Sequence, residues 1–316
     1  MILTLCLAGC HPSQVKDDTI RLFTLKGPSA MGMIYLIDSP GKIITKPLSI
    51  EILDEPMLVR ARLLKDKPEM AVLPLNMSAI LYNKGLTYQL VAVPVWGSLY
   101  LFGSDSTVLG WQSLKNKRIF MMGKGSTPDI VFRFLLKFHK LNPETDVTLD
   151  YSFPTHIDLA NAVSAGKAPI AIISEPLATL AQAKNPSIGK IMDLNSEWGQ
   201  AFPSHPSIPQ TAFIGRSDFI RDHPDWVKKI CEAWMVSIDR VNLFPEQAAD
   251  LIAGHNILPD NNIAKNSIPG CNLKFRFAFQ ISPEINQYLQ VLFTFNPDAV
   301  GGKIPDEQFI YQIPDH

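Results

Sequence analysis

Residues 123 to 129, Gly-Lys-Gly-Ser-Thr-Pro-Asp, set glycines, a cation and two hydroxyls at a helix start, a composition suited to holding phosphate. A Walker loop needs a glycine well upstream of its Gly-Lys-Ser/Thr end, so that backbone amides can wrap the phosphates. Here Lys124 is followed by Gly125 rather than by a hydroxyl residue, and the stretch from Arg118 and Ile119 to Met122 holds no glycine to start the loop. What remains is a buried strand from Arg118 to Met122, a tight turn through Gly123 and Gly125, and a helix with Thr127 as N-cap and Pro128 at its first position. The open amide end of that helix suits a polar or anionic group, whereas Asp129 in the first turn already complements the helix dipole. An ordinary capped helix of an α/β domain is the alternative reading.

The other reactive residue types are dispersed. The histidines at 11, 139, 156, 205, 223, 255 and 316 include no pair at helical metal-ligand spacing, so no metal site and no cofactor are expected. His156 and Asp158 stand together, either as an acid–base pair or as the capping groups of a helix start. Cys231 and Cys271 either form a disulfide or stay apart. Cys231 shares a helical face with Val227, Ile230, Trp234 and Ile238, which suits a core thiol equally well.

The elements that must position these residues come from the whole chain. With 316 residues, 46% of them hydrophobic, and 25 prolines, the chain can bury two packed domains and is too apolar for disorder. A formal charge of -1 gives no electrostatic reason to expect nucleic acid. No apolar run of roughly 18 residues follows the first residues, so no membrane span is expected. Leu7-Ala8-Gly9-Cys10 resembles the bacterial lipobox, in which the cysteine is acylated, although no Lys or Arg precedes the apolar run. Residues 1–18 then read as a lipoprotein signal and a polar tether, with Cys10 as the anchor.

Two distant stretches share one order of elements. "RLFTLKGPSAMGMIYLI" answers to "RIFMMGKGSTPDIVFRFLL" as strand, glycine loop and helix. Downstream, "LSIEIL", "DEPMLVRARLLKDK" and "EMAVLPLNMSAILYNKG" answer to "VTLDYSF", "THIDLANAVSAGK" and "PIAIISEPLATLAQAKN". Each copy reads as β-α-β-α-β, which implies a mostly parallel, doubly wound sheet. Two such lobes turn their helix starts toward a shared cleft. Crossings between them are expected near 100–107 and 205–212, giving one lobe from 19–104 plus 208–316 and another from 105–207.

With its lipobox, "GKGSTPD", "AIISEPLATLA", "TAFIGRSDFIRDHPDWV" and terminal "GGKIPDEQFIY", the sequence resembles the type II periplasmic solute-binding proteins of ABC importers. The branch is the one that handles sulfonates, nitrate and thiamine-pyrimidine-like compounds, and the resemblance covers residues 20 to 316. It implies an α/β fold of two doubly wound lobes that close on a small-molecule ligand in a central cleft. It also implies a monomer, held by its lipid at the outer face of the cell membrane, that delivers to a permease and ATPase complex.

The ligand contacts that the resemblance implies are Ser29, Ala30 and Met31 in the first-lobe loop, Leu75 and Asn76 after the third strand, and Trp96 near a crossing. In the second lobe they are Gly125, Ser126, Thr127 and Glu175. Each has a plainer reading. Ser126 and Thr127 suit a cap, Trp96 suits hinge packing, Glu175 a helix start and Asn76 a turn. Hydroxyls, amides, an indole and a carboxylate, with no arginine among them, favour a mostly neutral, heteroaromatic solute, with a small sulfonate or carboxylate second. An enzyme on the same fold, acting on a small organic acid or pyrimidine, and a solute-sensing surface receptor are the rival functions.

Overall fold

Short apolar runs become strands here, and proline or a capping side chain marks where most helices begin. The computed structural model describes residues 19–43 and 46–313; the lipobox with Cys10 and the tether lie outside the described residues. The first part of the chain forms β1 (Ile20–Leu25), α1 (Pro28–Gly32), α2 (Ile34–Asp38), α3 (Pro40–Ile43) and β2 (Leu48–Leu53). It continues through α4 (Pro56–Asp66), β3 (Met70–Pro74), α5 (Leu75–Asn83) and β4 (Tyr88–Trp96). A second set follows: β5 (Leu99–Gly103), β6 (Arg118–Phe120), α6 (Thr127–Phe138), β7 (Thr148–Asp150) and α7 (His156–Ser164). That set closes with β8 (Ile170–Ser174), α8 (Leu177–Lys184), β9 (Gly189–Asp193) and α9 (Leu194–Ala201). The chain then returns through β10 (Pro209–Arg216), α10 (Ser217–Asp222), α11 (Pro224–Leu243), α12 (Pro245–Gly254) and α13 (Asn261–Ser267). It ends with β11 (Leu273–Phe277) and α14 (Ser282–Phe295).

The strands make two sheets, ordered β11-β4-β10-β3-β1-β2 and β7-β6-β8-β5-β9. β1 pairs in parallel with β2 from Ile20↔Leu48 to Leu25↔Leu53, and β6 with β7 from Arg118↔Thr148 to Phe120↔Asp150. β10 lies antiparallel between β3 and β4, as β5 does between β8 and β9. The two sheets therefore repeat one order, with β11 added at the outer edge of the first. The fold is a pair of α/β lobes, and the strand–helix repeat in the sequence maps onto it element by element.

The first crossing lies earlier than its expected place. Leu99 to Phe102 are all buried, and β5 pairs with β8 from Leu99↔Ser174 to Gly103↔Ile170, so the chain crosses at Gly97–Ser98. An apolar segment of this length is more stable as a core strand than as an exposed connector. The second crossing runs through residues 202–208.

Core packing ties the lobes together on one side. α14 follows β11 of the first sheet but packs on α6 of the second lobe, which in turn packs on α9. There Phe134 stacks on Phe202 with centroids 5.2 Å apart, and Trp198 lies 6.3 Å from Tyr288. The Thr127 and Tyr288 hydroxyls are 2.8 Å apart in this buried seam. Ser126, not Thr127, is the N-cap residue of α6, with extended backbone and no side-chain cap bond, and the Thr127 hydroxyl pairs with Tyr288 instead.

The disulfide reading of Cys231 and Cys271 is corrected: both are free, buried thiols. Cys231 packs within α11 beside Val227, Ile230, Trp234 and Ile238, all buried, as the helical spacing implied. Burial pushes both thiols up in pKa, with the Glu175 charge adding to the effect at Cys271 and Lys190 opposing it, so both stay protonated and unreactive.

The Thr127–Tyr288 bond yields a direct test of the seam. Thr127→Val and Tyr288→Phe are each expected to lower unfolding free energy by about 1 to 2 kcal/mol, since each leaves a buried hydroxyl or its partner unpaired. The double variant should lose less than the sum. Additive losses in denaturant titrations would contradict the pairing.

Candidate functional site

The loops that follow β1, β3, β6 and β8 lie at the strand ends where open α/β sheets hold ligands. The loop after β1 meets the turn after β8: a Cβ at Gly27 would sit 3.7 Å from Pro176 Cδ. The loops after β3 and β6 are joined through the segment that follows α14. Asn76 Nδ2 donates to the Ala299 carbonyl at 3.5 Å, and a Cβ at Gly125 would lie 3.3 Å from Asn296 Nδ2.

Within the first lobe, α1 turns most of its residues into the core. Ala30 and Met31 are fully buried in the cluster that holds Trp234 and Ile238. Ser29 is 3% exposed, and its hydroxyl makes no hydrogen bond among the described residues. Of the three loop residues, then, Ser29 alone keeps an uncommitted polar side chain. Leu75 opens α5 and is also fully buried, whereas its neighbour Asn76 is half-buried. Lys26, the cation nearest this loop, lies 3.4 Å from Asp54.

In the second lobe, Asp129 takes the role that an anionic ligand would have at the start of α6. Its Oδ2 accepts the Gly125 amide at 2.7 Å, and its Oδ1 accepts from Arg133 Nε at 2.7 Å and Tyr151 Oη at 2.6 Å. Gly123 and Gly125 have φ of 70° and 79°, the left-handed region that lets the loop turn back onto that carboxylate. Burial, and then the bond to Asp129, push the Tyr151 phenol up, so it stays a donor. Ser126 Oγ donates to the Met122 carbonyl at 3.2 Å. The helix start is thus internally neutralised: Asp129 takes the Gly125 amide, and the Ser126 and Thr127 hydroxyls are engaged by the Met122 carbonyl and by Tyr288.

Glu175 is the centre of a contact between lobes. It is 2% exposed; Oε1 lies 3.1 Å from Lys190 Nζ, and Oε2 accepts the Thr179 amide at 3.0 Å. Lys190 Nζ stands 3.8 Å from the centroid of the Tyr100 ring, and Tyr100 Oη donates to the Gly270 carbonyl at 2.8 Å. A Cβ at Gly270 would fall 2.7 Å from Glu175 Oε1 and 2.9 Å from Lys190 Nζ. Only glycine lets the turn before β11 approach this closely. Burial, then the charges of Asp193 and Glu175, push the Tyr100 phenol up, which keeps its proton on the Gly270 carbonyl.

Trp96 is 7% exposed, donates from Nε1 to the Lys274 carbonyl at 2.7 Å, and lines a separate cavity beside the hinge. Its ring therefore serves hinge packing. His156 and Asp158 do not pair: Thr155 Oγ1 donates to Asp158 Oδ2 at 2.6 Å and accepts the Asp158 amide at 3.1 Å, the hydrogen bonds of a helix cap. Tyr100, Lys190, Gly270 and Asn296 went unnoticed in the sequence. Each gains its place from a partner distant in the chain, and only the glycine, in "IPGC", marks a turn.

No family model matches the chain. It is similar at 28% identity and a TM-score of 0.82 to a solved ABC transporter protein from Parabacteroides distasonis, over 94% of this chain and 99% of the other. The periplasmic aliphatic sulphonate binding protein SsuA from Escherichia coli has the same fold, with a TM-score of 0.75 over 95% of this chain and 94% of that one at 14% identity. A stretch of 138 residues, 43% of this chain, is 26% identical to a curated relative, named as the binding protein YtlA of Bacillus subtilis (strain 168). That match spans 38% of the relative's own length. The two-lobed α/β architecture is that of periplasmic binding proteins.

Burial alone lowers the pKa of His156 from 6.5. The unfolded chain therefore takes up this proton near 6.5, while the folded protein resists it. Above that pH the ring is neutral in both states; below it, stability falls with pH and levels off beneath the folded value. His156→Gln is expected to reduce the loss of stability between about pH 7.5 and about pH 5. Superimposable profiles for wild type and variant in thermal melts would contradict the assignment.

Proposed function

We propose that this protein is the solute-binding component of an ABC-type importer. It captures a small molecule between its lobes and presents it to a membrane permease and ATPase. The observation that carries the reading is the repeated strand order of the two sheets, joined by two crossings, with Gly27 of one lobe's loop set against Pro176 of the other. Likeness along nearly the whole chain to an ABC transporter protein supports the same reading.

Ser29, Asn76, Gly125, Ser126 and the rim around Glu175 form the recognition surface. Their polar groups are neutral or already charge-compensated, since Glu175 is held by Lys190 and Lys26 by Asp54. They favour an uncharged, hydrogen-bonding solute, and a flat heteroaromatic compound fits this set better than a strongly charged anion. The protein acts as a receptor and not as an enzyme: Asp158 is spent on a helix cap, and both described thiols are buried and protonated. The Leu7-Ala8-Gly9-Cys10 motif supports attachment through Cys10 at the periplasmic or outer face of the membrane, with the body of the protein monomeric.

A thermal-shift panel of pyrimidines, other heteroaromatics, sulfonates and nitrate tests the reading. A solute at a hundred times its dissociation constant adds about 2.7 kcal/mol to stability, and it should be recovered chemically unchanged. Ser29→Ala is expected to weaken that solute's binding by about 1 to 2 kcal/mol without lowering the melting temperature of the free protein. Recovery of a new compound would overturn the receptor reading, and undiminished affinity in Ser29→Ala would remove Ser29 from the site. A Cys10→Ser protein that stayed in the membrane fraction would remove the tether.

A further inference from the structure

A second cavity, of about 250 Å³, lies at the hinge, on the edge of the first sheet where β11 pairs with β4. Its walls come from both crossings, through Trp96 and Ser207, from the start of α9 through Asn195, and from the start of α14 through Glu284. Lys274 and Arg276 of β11 enter from the sheet edge. Leu273 and Phe275 of the same strand are buried in the core, so the strand divides its apolar and cationic residues between core and cavity.

Neither cationic side chain makes a hydrogen bond or an ion pair among the described residues. Glu284, the carboxylate of the same cavity, is set toward His205 instead, with Oε2 3.7 Å from Nδ1. Trp96 Nε1 and Asn195 Oδ1 are already used, by the Lys274 carbonyl and the Ile208 amide, which fixes the walls in place. The cavity thus joins two uncompensated cations at one end to a hydrogen-bond acceptor at another, in a space just below the usual size for ligand pockets.

We propose that this hinge cavity is a binding site for a small carboxylate that carries a hydroxyl or amino group. The guanidinium of Arg276 takes the carboxylate through paired N–H bonds, Lys274 adds charge, and Glu284 accepts from the hydroxyl or amino group. The site is separate from the loops after β1, β3, β6 and β8. Because its walls belong to both crossings and both lobes, an occupant favours one hinge angle. It thereby shifts affinity in the cleft by the same factor that a cleft solute shifts its own. That coupling rests on the importer reading, whereas the site itself does not.

Lactate and its uncharged counterpart lactamide are the probes, titrated calorimetrically into the full chain. Lactate is expected to bind and lactamide not. Lys274→Ala/Arg276→Ala should weaken lactate binding by roughly tenfold or more while the melting temperature is kept, and Lys274→Arg, which keeps the charge and leaves the Arg276 fork in place, should retain most of it. Equal binding of lactamide, or undiminished lactate binding in the alanine pair, would overturn the site. So would the absence of heat up to tens of millimolar lactate. Lactate binding that is lost in Ser29→Ala but kept in the alanine pair would move the anion to the cleft and overturn the hinge assignment, leaving the importer reading intact.

Discussion

Each sheet holds one interior strand that runs against the strands on both its sides, and the rest of the molecule depends on that insertion. β10 enters between β3 and β4, and β5 between β8 and β9, so the backbone hydrogen bonds of both sheets can be satisfied only if the chain passes between lobes twice. Two crossings fix a hinge axis. They also bring the loop after β1 against the turn after β8, at Gly27 and Pro176.

What lines the cleft between the lobes follows from where charges are already balanced. Asp129 fills the amide pocket at the start of α6, and Glu175 is buried against Lys190 and the Thr179 amide. A buried carboxylate without such partners would be strongly destabilising, so these groups serve the protein's own structure before any solute arrives. In the proposed reading, recognition falls to less committed groups, of which the Ser29 hydroxyl is the clearest. The approach of Gly270 to Glu175 and Lys190 depends on the absence of a side chain. On the opposite side α14 spans to α6 and α9 through Tyr288, Trp198 and Phe134, so the hinge moves against a packed aromatic seam.

Much of the fold was legible in the sequence, because the order of strands, glycine turns and helices repeats, and order survives when identity does not. The apolar alternation of β11, the capped start of α6 to within one residue, and the core face of α11 were all readable locally. The first crossing was misplaced because Leu99–Gly103 has no turn residue before Gly103 to show which sheet it joins. The candidate site was less legible. Sequence marks Glu175 and Thr127 as polar residues at turns but not that Lys190 and Tyr288 have already taken them, since those partners lie far along the chain. Trp96 could be read as a ligand contact or as hinge packing; its indole is held by the Lys274 carbonyl, an interaction set by the edge pairing of β11 with β4.

Closure of two lobes about the crossings at 97–98 and 202–208 is the central claim, and small-angle X-ray scattering with and without a bound solute tests it most directly. The account predicts that the solute-bound protein scatters as the closed form, with Gly27 against Pro176, and that the free protein shows a larger radius of gyration. Indistinguishable curves for the free and saturated protein would contradict it.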